Sequence, residues 1–215
     1  MNWRKLGFKE EEIEEARRFA ELCYTDKRWN GNPVLIILDA CFDSIGLNYF
    51  SVVFRKTYKF YLEKIKTGKV INCKDLLTEQ NLEYVRSLLN NDRVVNCIKK
   101  ICEIVSKNEN EYKFLKEWAF RADPYKFKED IIGKINGIGI NTFQYLRMQL
   151  GVDTIMPDKI IINWLKERAM LKINNPFDAI EKGHKFASSI GLKDTELCWA
   201  IWISESNEFN KIIIM

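Results

Sequence analysis

Histidine is nearly absent from this 215-residue chain, where His184 is the only one. The six cysteines, Cys23, Cys41, Cys73, Cys97, Cys102 and Cys198, form no Cys-x-x-Cys pair. One imidazole and no paired thiols argue against a zinc site, and no other metal site is expected. The cysteines read as small buried apolar residues of a reduced, cytoplasmic protein. Ten glycines and four prolines are too few for a turn-rich all-β sandwich or barrel. No apolar run approaches the ~18 residues that span a bilayer. Met1-Asn2-Trp3-Arg4-Lys5 leads straight into an acidic segment, so neither a signal peptide nor a membrane partner is expected. Charge of either sign is nearly balanced. A net charge of +4 permits nucleic-acid binding without demonstrating it.

What remains is a globular composition, 47% hydrophobic and 30% charged, with helical periodicity almost throughout. Residues 9–24 open with glutamates and close with Arg17 and Arg18, which suits the helix dipole, and carry the stripe Ile13, Ala16, Phe19, Ala20, Cys23. Trp29 to Pro33 is a breaker cluster, with Pro33 placed to start the next helix. Residues 34–43 are nearly continuous hydrophobe. They fit a buried strand or a buried helix, and the lack of a nearby partner strand favours the helix. An aromatic-rich helix follows over 47–66, then helices over 79–91, 92–107 and 109–121. Between Arg55 and Lys74 seven basic residues face one acid, Glu63. That run fits a solvated basic face, with contact to a phosphate backbone as the sharper alternative. There is no internal repeat or low-complexity linker. The chain reads as one all-α unit over 1–215.

Residues 124–168 carry the most information. Pro124 is expected to open a short helix through Ile131 and Ile132 to Lys134. Ile135-Asn136-Gly137-Ile138-Gly139-Ile140-Asn141-Thr142 then forms a tight turn into a second helix ending near Leu150. Alternate glycines permit positive φ and bare the backbone. The turn N–H groups and the second helix's N-terminus would face outward together and suit one DNA phosphate. Ile135 and Ile138 would be buried between the helices. Farther on, Pro157-Asp158 precedes an apolar-periodic run, so Asp158 is placed as a helix N-cap.

Together the hairpin, at about 125–150, and the Pro157-Asp158 pair resemble the helix-hairpin-helix DNA glycosylase superfamily, which includes endonuclease III and the adenine, 8-oxoguanine and 3-methyladenine glycosylases. There the hairpin reads roughly Leu-Pro-Gly-Val-Gly-x-Lys-Thr-Ala, and an essential aspartate opens a helix some way beyond it. Here the hairpin is Ile135 to Phe143, and Asp158 lies 17 residues past Asn141. The resemblance implies two helical lobes and double-stranded DNA carrying a modified or mismatched base as partner. It further implies backbone contacts from Ile135, Gly137, Ile138, Gly139, Asn141 and Thr142, Asp158 as catalytic carboxylate, and action as a monomer. Asn141 replaces the lysine that gives some relatives a Schiff-base lyase step, so a monofunctional enzyme is expected. Phe143 stands where an alanine is usual. Only Cys198 lies where some relatives hold four clustered cysteines, so no iron–sulfur cluster and no other cofactor is expected.

In that frame a base must leave the stack to be reached, and a carboxylate would stabilise positive charge at C1′. At a helix N-terminus Asp158 would be held ionised by backbone N–H groups. Trp29, Tyr49 and Trp202 are candidates for stacking on the base, and Asn48 for filling the gap it leaves. A helix cap is the plainer role for Asn48, and core packing for the aromatics. His184 reads as a surface residue. Two other classes remain open: a non-catalytic DNA-binding protein with the same fold, and a helical scaffold for a protein partner.

Overall fold

The computed structural model describes residues 3–206. Met1, Asn2 and residues 207–215, which the reading of a single unit over 1–215 also covers, lie outside the described residues. Eleven α-helices occur among the described residues, with no strand: α1 (Glu10–Tyr24), α2 (Pro33–Asp43), α3 (Phe54–Phe60), α4 (Cys73–Leu76), α5 (Glu79–Leu89), α6 (Asp92–Val105), α7 (Glu111–Arg121), α8 (Ile140–Gln149), α9 (Lys159–Glu167), α10 (Pro176–Ser189) and α11 (Asp194–Glu205). π-helical turns over Tyr49–Val53 and Tyr61–Ile65 flank α3, so the aromatic helix expected over 47–66 is present with a loosened turn at each end. None of these helices is long and apolar enough to cross a membrane.

Six of these helices start where a side chain satisfies an orphan N–H group. Asn32, Asn72, Asn91, Asn110 and Asn175 cap α2, α4, α6, α7 and α10, each accepting a bond from a first-turn backbone N–H. Asp158 caps α9 in the same way.

Two compact units result, one of Arg28–Leu146 and one of Met1–Lys27 with Arg147–Met215. The first is built around α2, the helix favoured for the apolar run. Every residue from Val34 to Phe42 is buried, and α2 packs on α3, α4, α6 and α7. In the second unit α11 packs along α1, α9 and α10. Phe19 stacks on Trp199 with ring centroids 4.6 Å apart, and Phe8 stacks on Trp164 at 5.0 Å. All six cysteines are buried thiols.

The helix expected from Pro124 to Lys134 does not form. Pro124–Lys126 is one 3-10 turn, and hydrogen-bonded turns follow to Lys134. Asp130 is the cause. Its Oδ1 accepts from the backbone N–H of Ile132 at 2.8 Å and of Gly133 at 3.1 Å, which offers the backbone an alternative to a helix ladder. The carboxylate also accepts from Trp118 Nε1 at 3.0 Å. Gly133 makes the bend possible, because a Cβ there would sit 1.8 Å from the Phe127 carbonyl oxygen.

Candidate active site

The hairpin turn belongs to the unit of Arg28–Leu146. Gly137 has φ +101°, and a Cβ on it would lie 2.6 Å from Cys97 Sγ and 3.2 Å from Arg93 Cγ. Cys97 Sγ lies 3.4 Å from the Asn136 carbonyl oxygen. The turn is therefore seated on α6 at a spot where only glycine fits. Gly139 differs from what the sequence suggests. Its φ lies outside the left-handed region, it is exposed, and nothing lies within 4 Å of a Cβ built on it. Its contribution is bare backbone at the surface.

Ile138 is buried and Ile135 half-buried. Asn141 is half-buried in the first turn of α8, while Thr142 is buried at 4% exposure. Phe143, large for its place, fills an aromatic cluster. It meets Trp118 edge-on at 5.4 Å and Phe127 at 5.9 Å. Lys134 and Lys159 are both exposed.

Asn48 is a helix cap in this structure. Its Oδ1 accepts from the Ser51 N–H at 2.9 Å and caps the π-helical turn. Trp29 and Tyr49 converge on a group not anticipated as a centre, Asp39. This carboxylate is wholly buried and accepts from Arg28 Nη2 at 2.8 Å, Trp29 Nε1 at 2.6 Å and Tyr49 Oη at 3.2 Å. Burial pushes Asp39 above the ordinary carboxylate range, against the pull of Arg28, Trp29 and Tyr145. The network holds a tight turn in which both Trp29 (φ 50°) and Asn30 (φ 52°) are left-handed. The Trp29 ring stacks on Phe54 at 5.3 Å, so the indole is committed to the fold at its edge and on a face. Within the basic run, Lys64 is buried against Asn81 Oδ1 at 2.9 Å and lies over the Tyr84 ring, and Lys56 donates to the Leu88 carbonyl. Arg55, Lys66, Lys69 and Lys74 are exposed.

Asp158 belongs to the other unit. Its Oδ1 accepts from the Ile161 N–H at 2.7 Å, as an N-cap does, and its Oδ2 accepts from Trp202 Nε1 at 2.8 Å. The backbone N–H groups at the start of α9 favour its ionised form, as the sequence implies, and burial opposes them. Burial raises its pKa above the ordinary value, and the bonds from Ile161, Trp202 and Ile160 only partly offset this. Trp202 thus directs its N–H at the carboxylate, a contact across 44 residues of sequence that local pattern does not reveal.

Nearby in the same unit, Asp153 Oδ1 accepts from Tyr24 Oη at 2.8 Å and from the Thr195 N–H at 2.9 Å. Asp194, buried, is paired with the exposed His184 at 3.0 Å. Burial and the neighbouring Asp153 push its carboxyl up to about 6. No group of three or more potential metal ligands gathers among the described residues.

A family profile described as a domain of unknown function (DUF8548) matches residues 126–206, a stretch that contains the hairpin, Asp158 and Trp202. No curated protein matches this chain. The crystal structure of the 8-oxoguanine DNA glycosylase of Thermotoga maritima resembles it with a TM-score of 0.59 at 16% identity, over 89% of this chain and 91% of that one. At that identity the likeness establishes architecture, and the chain is an all-α protein with the fold of a DNA glycosylase.

Proposed function

We propose that this protein is a monofunctional DNA glycosylase of base excision repair, acting as a monomer on duplex DNA and hydrolysing the N-glycosidic bond of a flipped, damaged or mispaired base. The observation that carries the reading is the state of Asp158. Asparagine and aspartate cap helices about equally well, and the chain uses asparagine at α2, α4, α6, α7 and α10. At α9 it uses a carboxylate instead, in a place where burial disfavours the charge. A desolvated carboxylate is costly as a cap and useful as a catalyst.

The chemistry follows from that placement. Rupture of the bond to the base builds positive charge at C1′ of the sugar. A fixed, poorly hydrated carboxylate stabilises that charge more than a solvated one does. A raised pKa also makes Asp158 a better acceptor for the proton of the attacking water. The bared backbone at Gly139 and the first N–H groups of α8 supply donors for a phosphate of the flanking strand. At the position of Asn141 there is no amine for a Schiff base, which supports hydrolysis without a lyase step.

The test is a panel of labelled duplexes, each with one modified or mismatched base, incubated with wild type and Asp158→Asn and resolved with and without hot alkali. Breaks that need alkali and wild-type protein are expected. Breaks without alkali would refute the monofunctional assignment. A blank panel with tight, salt-sensitive duplex binding would replace the enzyme with a non-catalytic binder.

A further inference from the structure

Between α8 and α9 residues 152–158 form a connection without regular secondary structure, with the Asp158 N–H bonded back to the Met156 carbonyl at 2.9 Å. Three of its groups bond to α11 in sequence order. Asp153 Oδ1 accepts from the Thr195 N–H at 2.9 Å, the Met156 N–H meets Cys198 Sγ at 3.4 Å, and Asp158 Oδ2 accepts from Trp202 Nε1 at 2.8 Å. Residues 195, 198 and 202 recur at i, i+3 and i+7, which is one stripe of a helix. The connecting segment is therefore tied to α11 at both ends and near its middle.

The far end of this strap is the Trp202 indole. Trp202 packs edge-on against Trp199 with centroids 5.1 Å apart, and Trp199 is stacked in turn on Phe19. Packing of this kind limits the rotamers open to the indole. Asp158 then has donors on both oxygens, the Ile161 N–H on Oδ1 and the Trp202 N–H on Oδ2, with the Ile160 N–H contributing at the helix end. The backbone cap holds the carboxylate from the helix end alone, and the indole N–H is the side-chain donor that fixes Oδ2 from a second element.

We infer that Trp202 is a positioning residue, whose indole N–H fixes the orientation of Asp158 instead of its ring stacking on the base. The inference rests on the reading of Asp158 as the carboxylate that works at C1′. The titratable side chain packed beside Asp158 from α11 is the Cys198 thiol, itself pushed well up by burial and by Asp158, Asp194 and Asp153. Cys198 stays neutral, so the indole N–H is the side-chain group on α11 that favours ionised Asp158.

The test uses the full chain and Trp202→Phe, which keeps an aromatic ring and removes the donor. Carbon-13 NMR titration of the Asp158 carboxyl should show its midpoint moving upward in the variant. With substrate, the acid limb of the pH–rate profile should move in the same direction. The rate constant kcat should fall roughly tenfold to a hundredfold from lost orientation, with KM little changed. A second measurement needs no substitution at Trp202: in wild type its indole N–H resonance should shift with the midpoint of the Asp158 carboxyl, and in Asp158→Asn that shift should vanish. An unmoved carboxyl midpoint in Trp202→Phe, with a raised KM and unchanged kcat, would overturn the inference and return Trp202 to the base pocket. If wild type processes no lesion, the glycosylase reading fails by itself. The NMR arms still decide whether Trp202 governs Asp158.

Discussion

The Arg28 guanidinium and the Asp39 carboxylate lie 2.8 Å apart, with side-chain exposures of 4% and 0%. Removing one partner of such a pair leaves the other charge buried without compensation. Arg28→Met should therefore cost about 3–5 kcal/mol of stability. The double variant Arg28→Met/Asp39→Leu should recover only part of this, because Trp29 and Tyr49 would keep half-buried donors aimed at a missing acceptor. Urea denaturation of the three proteins checks both statements. Full recovery in the double variant would show that the aromatic donors contribute nothing.

The two hairpin glycines separate folding from binding. Gly137→Ala places a methyl 2.6 Å from Cys97 Sγ on a left-handed backbone, and should cost about 2 kcal/mol or more. Adding Cys97→Ala should relieve the contact and leave the conformational part. Gly139→Ala meets no atom within 4 Å and no left-handed backbone, so its stability should stay within about 0.5 kcal/mol of wild type. If a phosphate approaches the bare backbone at Gly139, that same methyl should weaken duplex binding. Equal affinity for Gly139→Ala and wild type, measured by fluorescence anisotropy, would remove this residue from the interface.

Helix-forming pattern was legible wherever it was local. Periodic apolar positions marked α1, α6 and α7, and the breaker cluster at Trp29 to Pro33 marked the start of α2. Pro124 to Lys134 misled because its apolar residues suit a helix, while the deciding competitor is one side chain, Asp130, bonded to its own next turn. The hairpin's sequence pointed to positive φ and bared backbone at both glycines without showing that the two divide these roles. Gly137 answers to Cys97 and Arg93 on a distant helix, and Gly139 answers to no neighbour. Asp39 had a visible signal, a lone acid inside a hydrophobic run, which implies a buried charge in need of a partner. Trp202 had none, because its partner is 44 residues away.

Asp194 links stability to pH. Its folded pKa is pushed from the ordinary 3.8 up to about 6. Between those values the unfolded chain has released the proton and the folded chain retains it, so stability falls as pH rises through the window. Relative to Asp194→Asn, wild type should lose on the order of 2 kcal/mol between roughly pH 4 and pH 6. Ionised Asp194 keeps its contact with His184, which moderates the loss. Denaturation curves at half-unit intervals check this, and parallel curves for the two proteins would contradict it.

Asp158→Asn should abolish base excision without weakening the fold. Asparagine keeps the cap, since its carbonyl oxygen can accept from Ile161 N–H as Asp158 Oδ1 does now. It also removes a carboxylate whose pKa burial has raised. By the same sign argument as for Asp194, a raised acid destabilises the folded state once pH exceeds its unfolded pKa. Stability of the variant at neutral pH should therefore equal or exceed that of wild type, with the difference closing as pH falls. One term opposes this: the amide must present its oxygen to Ile161 and its nitrogen toward Trp202, and the indole donor then loses its acceptor. Thermal melts at pH 7 weigh the two terms. A melting temperature at or above wild type, with excision lost, identifies a residue retained at a cost in stability for what it does. A clear drop would make Asp158 a structural cap, and the lost excision would then no longer speak for catalysis.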